Sequence, residues 1–480
     1  MNYQALTHQA AKLAESGQYA DLEIICQKIL KKKPKHFDAL QLLGLAQSRT
    51  GQLNAAISNL KLARKINLQH DSVRINLANA CCDNGEIESA IKFSREAIKL
   101  DSSNYTAHLA LGNALQLGKK YTEAELSYDL ALELNPASAE SLDSLGECYR
   151  KQGKLLDAIN QFIKANELNP ALTTAYIHLV QILLLMHITE DVEGVANAGL
   201  TQAKLSAPET FELWMGLAKV AWLRGNLAGV REALAQSSKI NVINMAYRNM
   251  RNLKAYRDCI TKLVEAREIH PELYQGRTEH NIFFVAESHA LAASEVVVSY
   301  QNERYRMLSA VITGCKVWHL ANKTRNEYKA SLECLFSALP LESIVVLGFG
   351  EIDCRLSEGI LKATDGGKDD YQQLISLIID DYLKFALTLA ETYRHRIIIY
   401  GVPAPNMDFL STENKESQNQ LCEVIQLFNQ KLMDCCEFHK LSFLNTYKLT
   451  VDSSGRSNQK YHIDAYHLHP KVFPLLFNEL

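Results

Sequence analysis

At 480 residues the chain is too long for one compact core, so at least two folding units are expected. Its 47 % hydrophobic and 22 % charged content is that of a globular protein, and a formal charge of −3 excludes long-range attraction to nucleic acid or anionic membrane. Eleven cysteines without a C-x-x-C pair exclude a zinc ribbon or thioredoxin-type site.

The first residues, MNYQALTHQAAKLAESGQ, lack the basic and apolar regions of a secretory signal, and the scattered cysteines fit reduced thiols, so a cytoplasmic protein is expected. The most apolar stretch, Ile182-Leu183-Leu184-Leu185-Met186, is too short for a membrane span.

Internal repeats decide the first half. Ala56, Ala90, Ala124 and Ala158 recur every 34 residues, as do Ala63, Ala97, Ala131 and Ala165. Gly44, Gly112 and Gly146 share another phase, with Ala78 in the remaining turn. Gly17, Gly51, Gly85 and Gly153 mark a fourth, with Gly118 one residue early. Pro34, Pro136 and Pro170 close repeats. The pattern predicts antiparallel helix pairs. Small residues let the helices approach closely, a mid-repeat glycine supplies the positive φ that ends the first helix, and proline sits beyond the second. It resembles the tetratricopeptide (TPR) family over residues 3–172 as five repeats, with degenerate repeats to residue 240. Val180 replaces the small residue and His187 the turn glycine, while Trp214, Ala218 and Gly225 mark a further pair. Residues 241–276 are expected to connect and cap the array.

Such a solenoid presents a groove lined by first helices, and a protein or peptide partner is expected there. Asn76, Asn79 and Asn113 fall on those helices, where amides can clamp a peptide backbone. In this the repeats are similar to those of O-linked N-acetylglucosamine transferases, although no glycosyltransferase half follows.

From residue 277 the period changes. Asn281–Ala286 (NIFFVA), Ile344–Leu347 (IVVL), Ile397–Tyr400 (IIIY) and Leu441–Leu444 read as buried strands. Helices are expected over Ala290–Leu308, Tyr328–Leu339, Asp370–Tyr393 and Gln418–His439. This alternation predicts a three-layer α/β domain with a parallel sheet, over 277–480, whose chemistry lies just after the strands. The run Asp365-Gly366-Gly367 follows no strand directly and reads as a loop rather than a phosphate cradle.

Those post-strand segments are Glu287-Ser288-His289, Gly348-Phe349-Gly350-Glu351-Ile352-Asp353-Cys354-Arg355 and Gly401-Val402-Pro403, with Asp464-Ala465-Tyr466-His467 near the end. Here the domain resembles the SGNH (GDSL-like) hydrolases. The resemblance implies Ser288 as nucleophile, His467 as base and Asp464 as its orienting carboxylate. His462 and His469 lack the family spacing from Asp464, and His289 is expected to be structural. The family's Gly-x-Asn-Asp block appears as Gly350-Glu351-Ile352-Asp353, with Ile352 where an oxyanion-binding Asn belongs. Gly314, or the turn at Ala321 and Asn322, are candidates for the second oxyanion donor, and Arg355 or Asn322 for the missing one. Alternatively Glu351, Asp353 and Arg355 form an ion network holding the loop. Two functions follow from the resemblance. One is a serine esterase or acyl hydrolase acting on an acylated carbohydrate. The other is a non-catalytic adaptor with a degenerate hydrolase fold. Neither metal nor cofactor is called for.

Overall fold

A computed structural model describes residues 3–242, 250–356, 358–364, 368–407 and 414–480. The chain forms two compact units. The first comprises residues 1–152 with 156–169, and the second residues 153–155 with 170–480. The second unit therefore includes the helices of 170–240 together with the α/β domain, so the boundary expected near residue 240 falls inside it. The run Asp365-Gly366-Gly367 and part of the 241–276 connection lie outside the described residues.

The first unit is a run of antiparallel helix pairs, for example Phe37–Arg49 with Leu53–Ile66, and Tyr105–Leu117 with Tyr121–Leu134. Side-chain caps open several first helices: Asn104 accepts from the Thr106 N–H, and Ser138 from the Ser141 N–H. All eight alanines of the two alanine phases are fully buried. The small-residue phase answers large side chains sixteen residues on. A Cβ at Gly112 would stand 2.5 Å from the Tyr128 ring, and one at Gly146 2.6 Å from the Phe162 ring. The turn phase is stricter than the glycines suggest. Positive φ falls at Gly17, Gly51, Gly85, Lys119, Gly153 and His187, an unbroken 34-residue spacing. Gly118, read as the turn glycine shifted by one, instead has φ −74°, and Lys119 adopts the left-handed conformation at φ 59°.

In the second unit the helices Thr173–Leu185, Thr189–Gln202, Ala207–Leu223 and Leu227–Ser238 precede the helix Met250–Ile269 and the sheet. The strands are β1 (His280–Ala286), β2 (Val297–Tyr300), β3 (Glu303–Val311), β4 (Ile344–Gly348), β5 (Arg396–Tyr400) and β6 (Ser442–Leu444). They lie in the order β2-β3-β1-β4-β5-β6. The sheet is mixed rather than parallel, because β2 pairs antiparallel with β3 while the remaining neighbours are parallel. The helix expected over Ala290–Leu308 is a correction. It runs only Ala290–Ala293, after which the chain forms a hairpin. Its β-branched run Val296-Val297-Val298 favours strand, and Gln301 and Asn302, at φ 52° and 67°, make a two-residue turn matched to strand twist.

From β1 the chain moves to β3 on one side and to β4 on the other. The residues after β1 thus stand at the sheet's switch point, where open α/β sheets bind ligands. Two helices N-terminal to the domain reach this point. Trp222, fully buried on Ala207–Leu223, donates its indole N–H to the Leu291 carbonyl at 2.8 Å. The helix Met250–Ile269 buries Tyr256, Cys259, Ile260 and Leu263 along one face. Among the described residues no helix is long and apolar enough to cross a membrane.

Candidate functional site

The segment Asp464–His467 folds into a tight unit. The Asp464 carboxylate accepts the backbone N–H of Tyr466 and of His467, both at 2.8 Å, and also the His467 Nδ1–H at 2.8–2.9 Å. The spacing of three lets one carboxylate shape the turn and orient the ring. Burial alone would raise the Asp464 pKa, but these bonds hold it far below the usual carboxylate range. His467 is 5 % exposed. Burial would lower its pKa, but the Cys259 sulfur and Asp464 outweigh that and hold it well above the ordinary histidine value. Its Nε2 is buried without a hydrogen-bond partner.

Ser288 follows β1 and is 5 % exposed, but its hydroxyl is engaged elsewhere. Ser288 Oγ donates to the Glu287 carboxylate, which also accepts the Ser288 N–H. The other Glu287 oxygen accepts the Gly314 N–H at 3.2 Å and the Tyr256 hydroxyl at 3.2 Å. One buried carboxylate thus gathers four donors. Burial opposes its charge, yet the Ser288 hydroxyl and N–H, with Arg355 and His289 further off, hold Glu287 below its ordinary pKa.

The remaining candidates separate cleanly. Gly314, at φ 76°, is at the site. Ala321 ends the helix Val317–Ala321, and Asn322 caps its own turn, accepting from the Thr324 N–H and hydroxyl. Gly350, at φ 127°, opens the helix Glu351–Cys354, and a Cβ there would meet the Phe428 ring at 2.5 Å. Glu351 and Arg355 form a bidentate ion pair at 2.7–3.1 Å, and the Arg355 guanidinium lies 4.4 Å from the Tyr466 ring centroid. Asp353 is 2 % exposed and accepts the N–H groups of Val317 and Trp318. Burial nevertheless pushes its pKa up to about 6. Of the ion network expected among these three, the Glu351–Arg355 pair is present, whereas Asp353 binds backbone N–H groups instead.

The neighbouring histidines have structural partners. His289 Nε2 meets the Tyr466 carbonyl at 2.8 Å, and its ring lies 5.4 Å from that of His467. His462 Nδ1 pairs with the Ser457 hydroxyl, and His469 Nδ1 accepts the Lys471 N–H. Burial takes both His462 and His469 down to about 4. In the array, Asn79 is exposed and Asn76 half-buried, while Asn113 already accepts the Tyr128 hydroxyl at 2.9 Å.

Three further residues come from helices before the α/β domain, Ala207–Leu223 and Met250–Ile269, where the sequence pattern predicts degenerate repeat and connection. Besides Tyr256, Lys219 is buried with its Nζ 3.6 Å from the Tyr256 ring centroid, and burial lowers its pKa to about 8. Cys259 is fully buried, its sulfur within 4.8 Å of a His467 ring nitrogen and of an Asp464 oxygen. These three side chains could each offer one donor to a cation. Asp464, however, already orients His467 and two N–H groups, which is a positioning role rather than a ligand's.

Comparison with known proteins bears on the repeats. The TPR family models match residues 78–118 (TPR repeat) and 114–171 (Tetratricopeptide repeat). U-box domain-containing protein 70 of Oryza sativa is 27 % identical over 137 residues, 28 % of this chain and 16 % of that protein. TPR repeat-containing protein YpiA of Bacillus subtilis is 26 % identical over 180 residues, 36 % of this chain and 42 % of that one. The chain thus spans less than half the length of either curated relative. Among solved structures, the TPR protein TTC0263 of Thermus thermophilus is 24 % identical, covering 38 % of this chain and 99 % of its own at a TM-score of 0.36. The family models thus place TPR repeats within residues 78–171, in the N-terminal run of antiparallel helix pairs.

Proposed function

We propose that the chain is a docking protein whose TPR array binds an extended segment of a protein partner, and whose SGNH-like domain does not turn over esters in the arrangement described. One observation carries the second clause. The N–H groups of Ser288 and Gly314, which the resemblance would assign to the oxyanion, both donate to Glu287, and so does the Ser288 hydroxyl. An ester carbonyl finds neither nucleophile nor oxyanion donor free, and Ile352 supplies no replacement. The docking clause rests on the repeats and on exposed Asn79 beside half-buried Asn76.

The test is labelling with a fluorophosphonate probe alongside cleavage of a simple acetyl ester. Neither is expected from the wild-type chain. Labelling at Ser288, lost in Ser288→Ala, would overturn the reading. For the docking clause, peptides selected on the array should bind at least about tenfold more weakly to Asn76→Ala/Asn79→Ala, a loss of about 1.4 kcal/mol.

A second reading has one specific observation in its favour. The Asp464–His467 pair is fully assembled and the His467 Nε2 is unspent. On that reading the domain is an acyl hydrolase, with an acylated carbohydrate as substrate by analogy, awaiting release of Ser288 from Glu287.

A further inference from the structure

With the Ser288 hydroxyl held by Glu287, the His467 Nε2 is left without a hydrogen-bond partner, and the Cys259 sulfur lies within 4.8 Å of a ring nitrogen of that imidazole. We infer that Cys259 is a modification site for small hydroperoxides, activated by His467 and Asp464. The inference stands apart from the docking reading, since it needs neither the TPR groove nor Ser288.

Geometry carries it. Cys259 projects from the helix Met250–Ile269 into a spot where its sulfur lies within 4.8 Å of a His467 ring nitrogen. That ring is 5 % exposed, its Nδ1 is fixed by Asp464, and its Nε2 is unpartnered. A thiol beside an oriented imidazole can pass it the proton and become the reactive thiolate. Three other buried thiols have carboxylates rather than an imidazole as their charged neighbours. Burial pushes Cys315 and Cys354 well above the usual thiol range, and Asp353 raises both further. Cys26, beside Glu23, is pushed up to about 12, again first by burial.

Burial selects the reactant. Cys259 is fully covered, so an ester or a bulky alkylating agent is shut out. A neutral oxidant little larger than water is the class that suits the site. The step balances with hydrogen peroxide as the named oxidant. The thiol proton passes to the neutral form of His467, and the thiolate sulfur attacks one peroxide oxygen. An S–O bond forms and the O–O bond breaks. Sulfur is oxidised by two electrons and peroxide is reduced, and the departing hydroxide takes the proton back from the imidazolium as water. The product is the sulfenic acid of Cys259.

The chain's eleven cysteines supply internal controls. The full-length protein is treated with hydrogen peroxide and quenched with catalase. It is then denatured in light iodoacetamide, reduced, and labelled with the heavy reagent, so that reversible oxidation is read at each thiol by peptide mass spectrometry. Cys259 is expected to oxidise at least about tenfold faster than the equally buried Cys315 and Cys354. In His467→Gln that lead should fall to within about threefold, with Asp464→Asn intermediate, and urea should erase it. A Cys259 rate no greater than that of Cys315 in the native chain would overturn the inference, and that comparison stands even if a variant fails to fold. So would an unchanged lead in folded His467→Gln.

Discussion

Glu287 holds the hydroxyl of its own neighbour, Ser288, and through its second oxygen the N–H of Gly314. Aspartate is one methylene shorter than Glu287, and its carboxylate would not reach those donors in the same way. Glu287→Asp should therefore release Ser288 and raise fluorophosphonate labelling by at least about tenfold, and Ser288→Ala in the same background should abolish it. Adding Ile352→Asn should raise ester turnover further, toward the ~10²–10³ that one oxyanion donor is worth. Persistently unlabelled, well-folded Glu287→Asp would show that the carboxylate is not what silences the serine.

The Asp464–His467 pair gives stability a defined pH window. The folded His467 pKa is raised, so its contribution is fully present below its unfolded value of about 6.5 and is lost as pH rises through the folded value. The folded Asp464 pKa is depressed, so its contribution is present above about 3.9 and is lost as pH falls through the folded value. The difference in melting temperature between wild type and His467→Asn should therefore be largest between about pH 4 and 6.5 and should shrink above that. A difference independent of pH would mean that the pair is not ionised as described. Any esterase released by Glu287→Asp needs neutral His467, so its activity should appear above about pH 6.5 rather than at it.

Gly146 faces Phe162 too closely for any side chain, since a Cβ would stand 2.6 Å from the ring. Gly146→Ala should destabilise the array by about 1–3 kcal/mol through overpacking, read as a lower denaturant midpoint. Phe162→Leu should cost less in the Gly146→Ala background than alone, because it makes room for the new methyl. Additive losses would show that the two positions do not share the contact.

The compact first unit sets a further expectation. Its contacts run between neighbouring helices, so a fragment of residues 1–169 should give a helical circular-dichroism spectrum and a cooperative melt. A fragment ending at 240 carries helices that pack on the α/β domain, notably through Trp222, and should expose that surface and aggregate more readily. Equal solubility of the two fragments would argue against that packing.

What the sequence disclosed follows from which signals are local. The repeat phases were legible because each small residue, such as Gly112, answers a side chain sixteen positions away at one fixed period. The pairing of Asp464 with His467 was legible because three residues of separation place both on one turn. The edge hairpin was missed because Val297–Tyr300 and Glu303–Val311 are short, and helical periodicity was read across their turn. Tyr256 and Cys259 were out of reach. Nothing in a helical run some 200 residues before His467 announces that its apolar face is aimed at that histidine. The role of Glu287 was hidden differently, since its letter was visible and only the three-dimensional path of one extra methylene reveals which donors it meets.

The turn phase offers a test of how strictly the 34-residue period governs the backbone. The sequence places a glycine at 118, one residue before the position that needs positive φ, and Lys119 adopts φ 59° in its place. A side chain in the left-handed region costs about 1–2 kcal/mol, whereas glycine occupies it freely. Lys119→Gly should therefore stabilise the first unit by about 1 kcal/mol, less the entropy that glycine restores to the unfolded chain. Gly118→Ala, at φ −74°, has Ile87 and the carbonyls of Ala114 and Leu115 as its nearest neighbours, at 3.3–3.5 Å, and should leave stability nearly unchanged. Denaturant titration of the fragment 1–169 reads both. If Gly118→Ala were strongly destabilising and Lys119→Gly neutral, the repeat would turn at 118 after all, and the unbroken period would be lost at this position.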